Sequence, residues 1–187
     1  MADTLTPRIY VASLTDYNSG ELHGKWIDAD QSADEIMAEV QEMLAASPAA
    51  AQYGEIAEEW AIHDYDEFGG IVIGEWDSFE RIELIAEAIT KWPPLVVKHF
   101  LDNDYSLAEI HETIGDLYMG DYDGSDEVSA VANMLWEGLD EREDIPEDIR
   151  PHIGAIARSM AVDEIQGGGY TTVYAGDGAH HILSADS

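Results

Sequence analysis

Arg8-Ile9-Tyr10-Val11-Ala12-Ser13-Leu14 is a run of strand formers, and the turn-rich Asn18-Ser19-Gly20-Glu21 separates it from a second run, Leu22 to Ile27. Two such runs joined by turn residues predict an antiparallel hairpin. Past Asp30 the period changes. Ser32 and Glu35 have the spacing of a capping box, and Ile36, Met37, Val40, Met43 and Leu44 then recur at helical spacing. Glu35, Glu39 and Glu42 fall on the other side of that helix. Ser47-Pro48 ends it, because a residue before proline is steered away from helical backbone. A third strand-like run, Glu59 to Asp66, closes a small antiparallel sheet carrying one helix. This is an α+β arrangement, and it places a first lobe at 7–76.

Beyond the Gly69-Gly70 loop, Ile71-Val72-Ile73 is a short extended run, and Asp77 to Thr90 is the clearest amphipathic helix. Phe79, Ile82, Ile85, Ala86 and Ile89 share ~120° of arc, with Glu80, Glu83 and Glu87 opposite; Leu84 breaks the pattern. Trp92-Pro93-Pro94 stops it. A second apolar segment, Leu95 to Leu101, and a helix start at Ser106 and Glu109 complete a helical lobe at 77–116. The last lobe, 117–187, is mixed: a helix near Asp126–Gly138, an acidic loop, a helix with Pro146 in its first turn, and a strand at 170–174. The final residues should fray.

The charge needs a reason. Among 187 residues there are 40 Asp+Glu and 8 Lys+Arg, for a formal net charge of −32. Residues 1–60, 61–120 and 121–187 net −10, −10 and −12, so the charge is laid over folded segments rather than gathered in a tail. Self-repulsion on that scale opposes compaction. Three readings compete: solubility, adaptation to high salt (Lys25, Lys91 and Lys98 are the only lysines), or attraction of a basic partner, most obviously a site that normally receives nucleic acid. Duplex DNA carries one charge per ~1.7 Å, so −32 corresponds to about 16 base pairs, roughly 54 Å. A compact chain of this length has a radius of gyration of only ~16 Å. DNA-like charge density therefore calls for an elongated chain or several small lobes. The glutamates of the 77–90 helix lie ~4.5 and ~6 Å apart along its axis, against ~3.4 Å per phosphate on one strand.

Hydrophobic residues at 45% and aromatics at 9% are enough for packed cores. The absence of Cys excludes disulfides, thiol catalysis and Cys-ligated zinc. No apolar run approaches the ~20 residues of a membrane span, and Met1-Ala2-Asp3-Thr4 lacks the basic start of a secretion signal, so a soluble cytoplasmic protein is expected. Catalytic patterns fail one by one. Asp121 to Glu127 resembles a calcium loop, but its sixth position is Asp126 where glycine belongs, and its twelfth is Ala132 where glutamate belongs. His111-Glu112 has no second histidine at the zinc spacing. His180-His181 sits in an expected tail, and His63, near Trp60 and Tyr65, reads as a packed strand residue. Gly167-Gly168-Gly169 lacks the spacing and the lysine of a phosphate loop. No enzyme, metal or cofactor is expected.

Three segments in order carry a resemblance. Ile9 to Asp28 (IYVASLTDYNSGELHGKWID), Glu58 to Asp66 (EEWAIHDYD) and Ile145 to Ile153 (IPEDIRPHI) resemble the N-terminal, central and C-terminal signatures of ArdA-type antirestriction proteins. The resemblance implies a protein of mobile genetic elements that mimics B-form DNA. It would occupy the DNA-binding groove of Type I restriction–modification enzymes as a competitive inhibitor, binding no nucleic acid and no membrane itself. It also implies an elongated three-lobed chain that forms a homodimer through its C-terminal lobe, with a joint charge of about −64, equivalent to roughly 32 base pairs. On that reading the phosphate substitutes are the helix acids Glu35, Glu39, Glu42, Glu80, Glu83 and Glu87. The loop acids Asp121, Asp123, Asp126 and Glu127 join them, as do Asp140, Glu141, Glu143, Asp144, Glu147 and Asp148. The C-terminal motif, Ile145, Pro146, Ile149, Arg150, Pro151, His152 and Ile153, serves the dimer interface or else a direct enzyme contact. The alternatives are an acidic salt-adapted domain and a mimic aimed at another DNA-binding protein.

Overall fold

A computed structural model describes residues 5–185, and the expectations about a secretion signal and fraying ends fall largely on 1–4 and 186–187, outside those residues. The described chain is α+β, with two three-stranded antiparallel sheets. Its contacts divide it into two units, Met1–Ile110 and His111–Ser187. The sheet of the first unit and the helices between 79 and 109 fall in the same unit.

In the first unit β1 (Arg8–Ser13) lies between β2 (Gly24–Asp28) and β3 (Trp60–Asp66), antiparallel to both. Arg8 is opposite Asp28 on one side and Asp66 on the other. The expected hairpin pairs as anticipated, but its connection holds one more element, the one-turn helix α1 (Leu14–Asn18). Leu14 leaves the strand because Ser13 caps α1 and accepts the Asp16 N–H at 3.4 Å; serine is a favoured residue at that position. The second strand accordingly begins at Gly24, and Leu22 stays exposed.

Helix α2 (Ala33–Ala45) starts at the Ser32/Glu35 capping box and buries Ile36, Val40, Met43 and Leu44, with Met37 at its rim. Ser47-Pro48 ends it and immediately begins another, α3 (Pro48–Tyr53), which sequence periodicity does not announce. Proline is pre-organised for a first helical turn, and the Ser47 hydroxyl accepts the Ala50 N–H at 3.0 Å. Ile71 and Ile73 are buried and Val72 exposed, in a segment without strand pairing. Helix α4 (Phe79–Lys91) buries the whole predicted stripe of Phe79, Ile82, Ile85, Ala86 and Ile89, and Phe79 stacks on Trp60 with ring centroids 4.3 Å apart. Helices α5 (Pro94–Asp102) and α6 (Ile110–Leu117) come next, the second preceded by a single 3-10 turn.

The second unit corrects three expectations. Asp121 to Glu127 is a loop only over residues 124–126: Asp121 and Asp123 lie on a strand, β4 (Tyr118–Asp123), Asp126 caps helix α7 (Glu127–Asp140), and Glu127 is in it. Asp and Gly are poor strand formers, so β4 is concealed locally; its residues alternate half-buried and exposed, as pairing on one face requires. His180-His181 is not in a tail either. It lies on β6 (Ala179–Ser184), the central strand between β4 and β5 (Tyr170–Gly176). Nor does Pro146 open the last helix. Pro146 to Ile149 form a turn, residues 150–152 one 3-10 turn around Pro151, and α8 (Ile153–Gly167) begins after it. Helices α7 and α8 pack on each other and on the sheet around Ala130, Val131, Ala132, Met134, Ala161 and Ile182.

Asp16 is wholly buried in the first unit, and its Oδ1 accepts the Ala49 N–H at 2.9 Å, tying α1 to the first turn of α3. Burial pushes this carboxyl up. Hydrogen bonds from Ser13, Ser47 and the Ala49 amide, with the nearby His23, outweigh it and hold the group below its ordinary value. A carboxylate lowered in the folded state stabilises above its unfolded pKa, and that contribution disappears as pH falls through the folded value. Asp16→Ala, which leaves a buried N–H unpaired, should cost about 2 kcal/mol at pH 7 in urea unfolding. The gap from the wild type should shrink below about pH 4.

Candidate functional site: two acidic surfaces

The glutamates on α2 and α4 are placed by capping and by the apolar stripes behind them. Glu35 closes the capping box, its Oε2 accepting the Ser32 amide at 3.0 Å and the Ser32 hydroxyl at 2.6 Å. These bonds hold its carboxyl below the usual value. Glu39 takes Lys25 at 2.5 Å and Gln31 at 2.8 Å, and the Lys25 bond does most to keep it ionised. Glu42 and Glu80 are exposed, and Glu80 is lowered by its own amide and by Ser78. Glu83 behaves differently from its helical neighbours. Its Oε2 accepts the Ala33 N–H at 2.8 Å, so an acid of α4 satisfies an end group of α2.

That contact sits in an open groove of about 430 Å³ lined by Asp30, Gln31, Ser32, Glu83, Glu87 and Thr90 among others. Two acids of the α4 row, Glu83 and Glu87, therefore lie beside the start of α2. Asp30 belongs to this groove and is not among the acids expected from the sequence; it lies in a turn, where no periodicity marks it. The sheet of this unit adds two further unexpected acids. Asp28 and Asp66 flank Arg8, which pairs with Asp66 at 2.8 Å and lies 4.9 Å over the Trp26 ring.

In the second unit Asp121 and Asp123 point to the exposed side of β4 and line a concavity of about 490 Å³ with Asn133, Trp136 and Glu137. Glu137 is the missed member, one helical turn beyond Asn133 on α7. Asp126 accepts the Ser129 amide and hydroxyl, both at 2.7 Å, which holds it low; Glu127 occupies the first turn. The surrounding tyrosines resist further negative charge. Burial, with the charges of Asp121 and Tyr122, pushes the Tyr118 hydroxyl up to about 12.

Asp140, expected on a loop, is the last residue of α7; it and Glu141, Glu143, Asp144, Glu147 and Asp148 in the turn that follows are all exposed. Arg142 forks onto Asp144, with bonds of 2.9 and 2.6 Å. The Arg150 guanidinium goes to the backbone carbonyls of Asp140 and Arg142. Within the C-terminal motif Ile153 is a core residue, 2% exposed, so it is spent on its own unit; Ile145 is half-buried, and Pro146, Ile149, Pro151 and His152 are exposed. Among the described residues no group of three His, Asp or Glu could hold a metal ion, and no helix is long and apolar enough to cross a membrane.

The family model described as Antirestriction protein (ArdA) matches residues 9–173, from β1 to β5 and through both units. No curated protein matches the chain.

Acids that cap helices and acids that only face solvent should separate on mutation. Ser32→Ala, which breaks the capping box, should cost about 1 kcal/mol of unfolding free energy at pH 7. Glu147→Gln should stay within about 0.5 kcal/mol of the wild type. Because Glu35 is lowered in the folded state, the Ser32→Ala deficit should fade on acidification below about pH 4.5.

Proposed function

This chain belongs to the ArdA family of antirestriction proteins, and on that premise we propose that it shields DNA by standing in for B-form duplex. It occupies the DNA-binding groove of Type I restriction–modification enzymes and competes there without chemistry. The observation that carries this reading is the distribution of the acids: 40 against 8 bases, with exposed carboxylates on α2, α4, β4, α7 and the 141–148 turn, in both units. A basic groove gains most of its affinity for DNA by neutralising phosphates and releasing counterions. Carboxylates fixed on a folded scaffold collect the same electrostatic energy. They offer no base edges, so inhibition ignores the enzyme's recognition sequence.

Several finer points belong to the same proposal. The chain works through three lobes, 7–76, 77–116 and 117–187, and pairs with a second copy through the last. Exposed Ile149, Ile156 and Met160 supply apolar surface in that region. Each protomer contributes −32, so a dimer matches about 32 base pairs of duplex. It acts in the cytoplasm of a bacterium that has received the mobile element encoding it.

The test is DNA cleavage and methylation by purified Type I enzymes, titrated with the protein at several salt concentrations. Inhibition should be indifferent to target sequence and should weaken steeply between about 50 and 200 mM salt. Single exposed substitutions such as Glu143→Gln should change potency less than about twofold, because exposed charges each contribute little. Neutralising eight acids together should weaken it more than about tenfold. Loss of all inhibition from one exposed acid contradicts distributed mimicry. No inhibition of any such enzyme, with unfolding at low salt, favours salt adaptation instead.

A further inference from the structure

From the end of α7 to the start of α8 the chain carries six exposed carboxylates: Asp140 closes α7, and Glu141, Glu143, Asp144, Glu147 and Asp148 follow in a turn without regular secondary structure. Repulsion among them favours a splayed, fluctuating turn. Two arginines, Arg142 within the turn and Arg150 at its end, are used in opposite ways. Arg142 is paired with Asp144 and takes up one carboxylate of the array. Arg150 donates to backbone: its Nη2 reaches the Arg142 carbonyl at 2.8 Å and its Nη1 the Asp140 carbonyl at 3.4 Å. Asp140 is the last residue of α7, whose final carbonyls have no partner within the helix. A cation there also meets the negative end of the helix dipole. The base of Arg150 is anchored too, since Arg150 itself begins the 3-10 turn that contains Pro151, and Ile153, three residues on, is buried. One side chain thus joins the end of α7 to the start of α8 across the turn.

We infer that Arg150 is a positioning residue: by holding the Asp140 and Arg142 carbonyls it pre-orders the 141–149 turn, so that its carboxylates meet the basic groove of the enzyme already arranged. This rests on the function proposed above and assigns Arg150 a role that is neither dimer contact nor enzyme contact. The physical logic is that a carbonyl-directed arginine restrains an acidic turn without pairing away a carboxylate. Ordering a loop at the moment of binding subtracts from affinity; ordering it beforehand removes that loss.

Charge and positioning predict opposite signs, which makes the test sharp. Arg150→Ala raises the net negative charge, so attraction to a basic groove alone would leave inhibition unchanged or improve it. Positioning requires inhibition of DNA cleavage to weaken about tenfold, the equivalent of about 1.4 kcal/mol. The full-length protein is used throughout. Hydrogen exchange at the amides of 141–149 should quicken about tenfold in Arg150→Ala, with exchange in α4 and the first sheet unchanged. Arg150→Lys, which keeps the charge and one donor, should restore part of both effects. Sedimentation should show the same self-association as the wild type.

Unchanged exchange in 141–149, or inhibition equal to or stronger than wild type, overturns the inference. So does dissociation of a dimer by Arg150→Ala, which would place the residue in the interface. If Arg150→Ala fails to fold, Arg150→Lys and Arg150→Gln carry the comparison, and equal exchange across all three proteins is again a refutation. A wild-type protein that inhibits no Type I enzyme sinks the function reading and the turn's role as a contact. The exchange data then separately decide whether Arg150 orders the turn.

Discussion

Like-charge repulsion is the constraint this chain folds against. With a net charge of −32, nearly every surface segment is exposed to the field of the others. Surface ion pairs do little to relieve it, because each contributes on the order of 0–1 kcal/mol and there are only eight Lys and Arg to make them. Two things oppose the repulsion instead. Each unit has a packed apolar core, around Ile9, Val11, Ile36 and Ile82 in the first and around Val131 and Ile182 in the second. And many carboxylates are aimed at amide N–H groups of helix starts. Glu35 and Asp126 do this locally, Asp16 across 33 residues of chain and Glu83 across 50. A helix N-terminus is the place where a negative charge stabilises rather than repels.

The same placement bears on function. A capping acid remains an acid: hydrogen bonding holds Glu35, Asp126 and Asp16 below their ordinary values and keeps them ionised. Carboxylates at Glu35 and Asp126 thus serve stability and surface charge at once. Where an acid meets an arginine, as Asp144 meets Arg142 or Asp66 meets Arg8, the pair gains local order and the surface loses some of its field. Arginine directed at carbonyls, as at Arg150, avoids that exchange.

Much of the fold was legible because the signals were periodic or local. Helix α4 is read from its stripe, α2 from Ser32 and Glu35, and β1 and β3 from dense strand formers; all four form where the residues place them. What was not legible depends on partners far along the chain. Half of strand β4, Gly120, Asp121 and Asp123, is of residues depleted in strands, and its pairing partner β6 lies far along the chain. Helix α3 hides behind a proline that both ends one helix and starts the next. The acidic surface could be read from composition, since exposure of Asp and Glu is the rule. The tasks of Glu83 and Arg150 could not, because the groups they bond belong to other elements. Asp30 and Glu137 were missed for a simpler reason: nothing in a single acid's neighbours announces a concavity.

The central position of β6 has a consequence for how the second unit comes into being. Its neighbours β4 and β5 touch it and not each other, so both leave the ribosome before the strand that joins them. Until then they are two bare edges, with α7 and α8 lacking the floor that Ile182 provides. Closure of this unit during translation is thus a single late event, whereas the first sheet can assemble as soon as β3 has emerged.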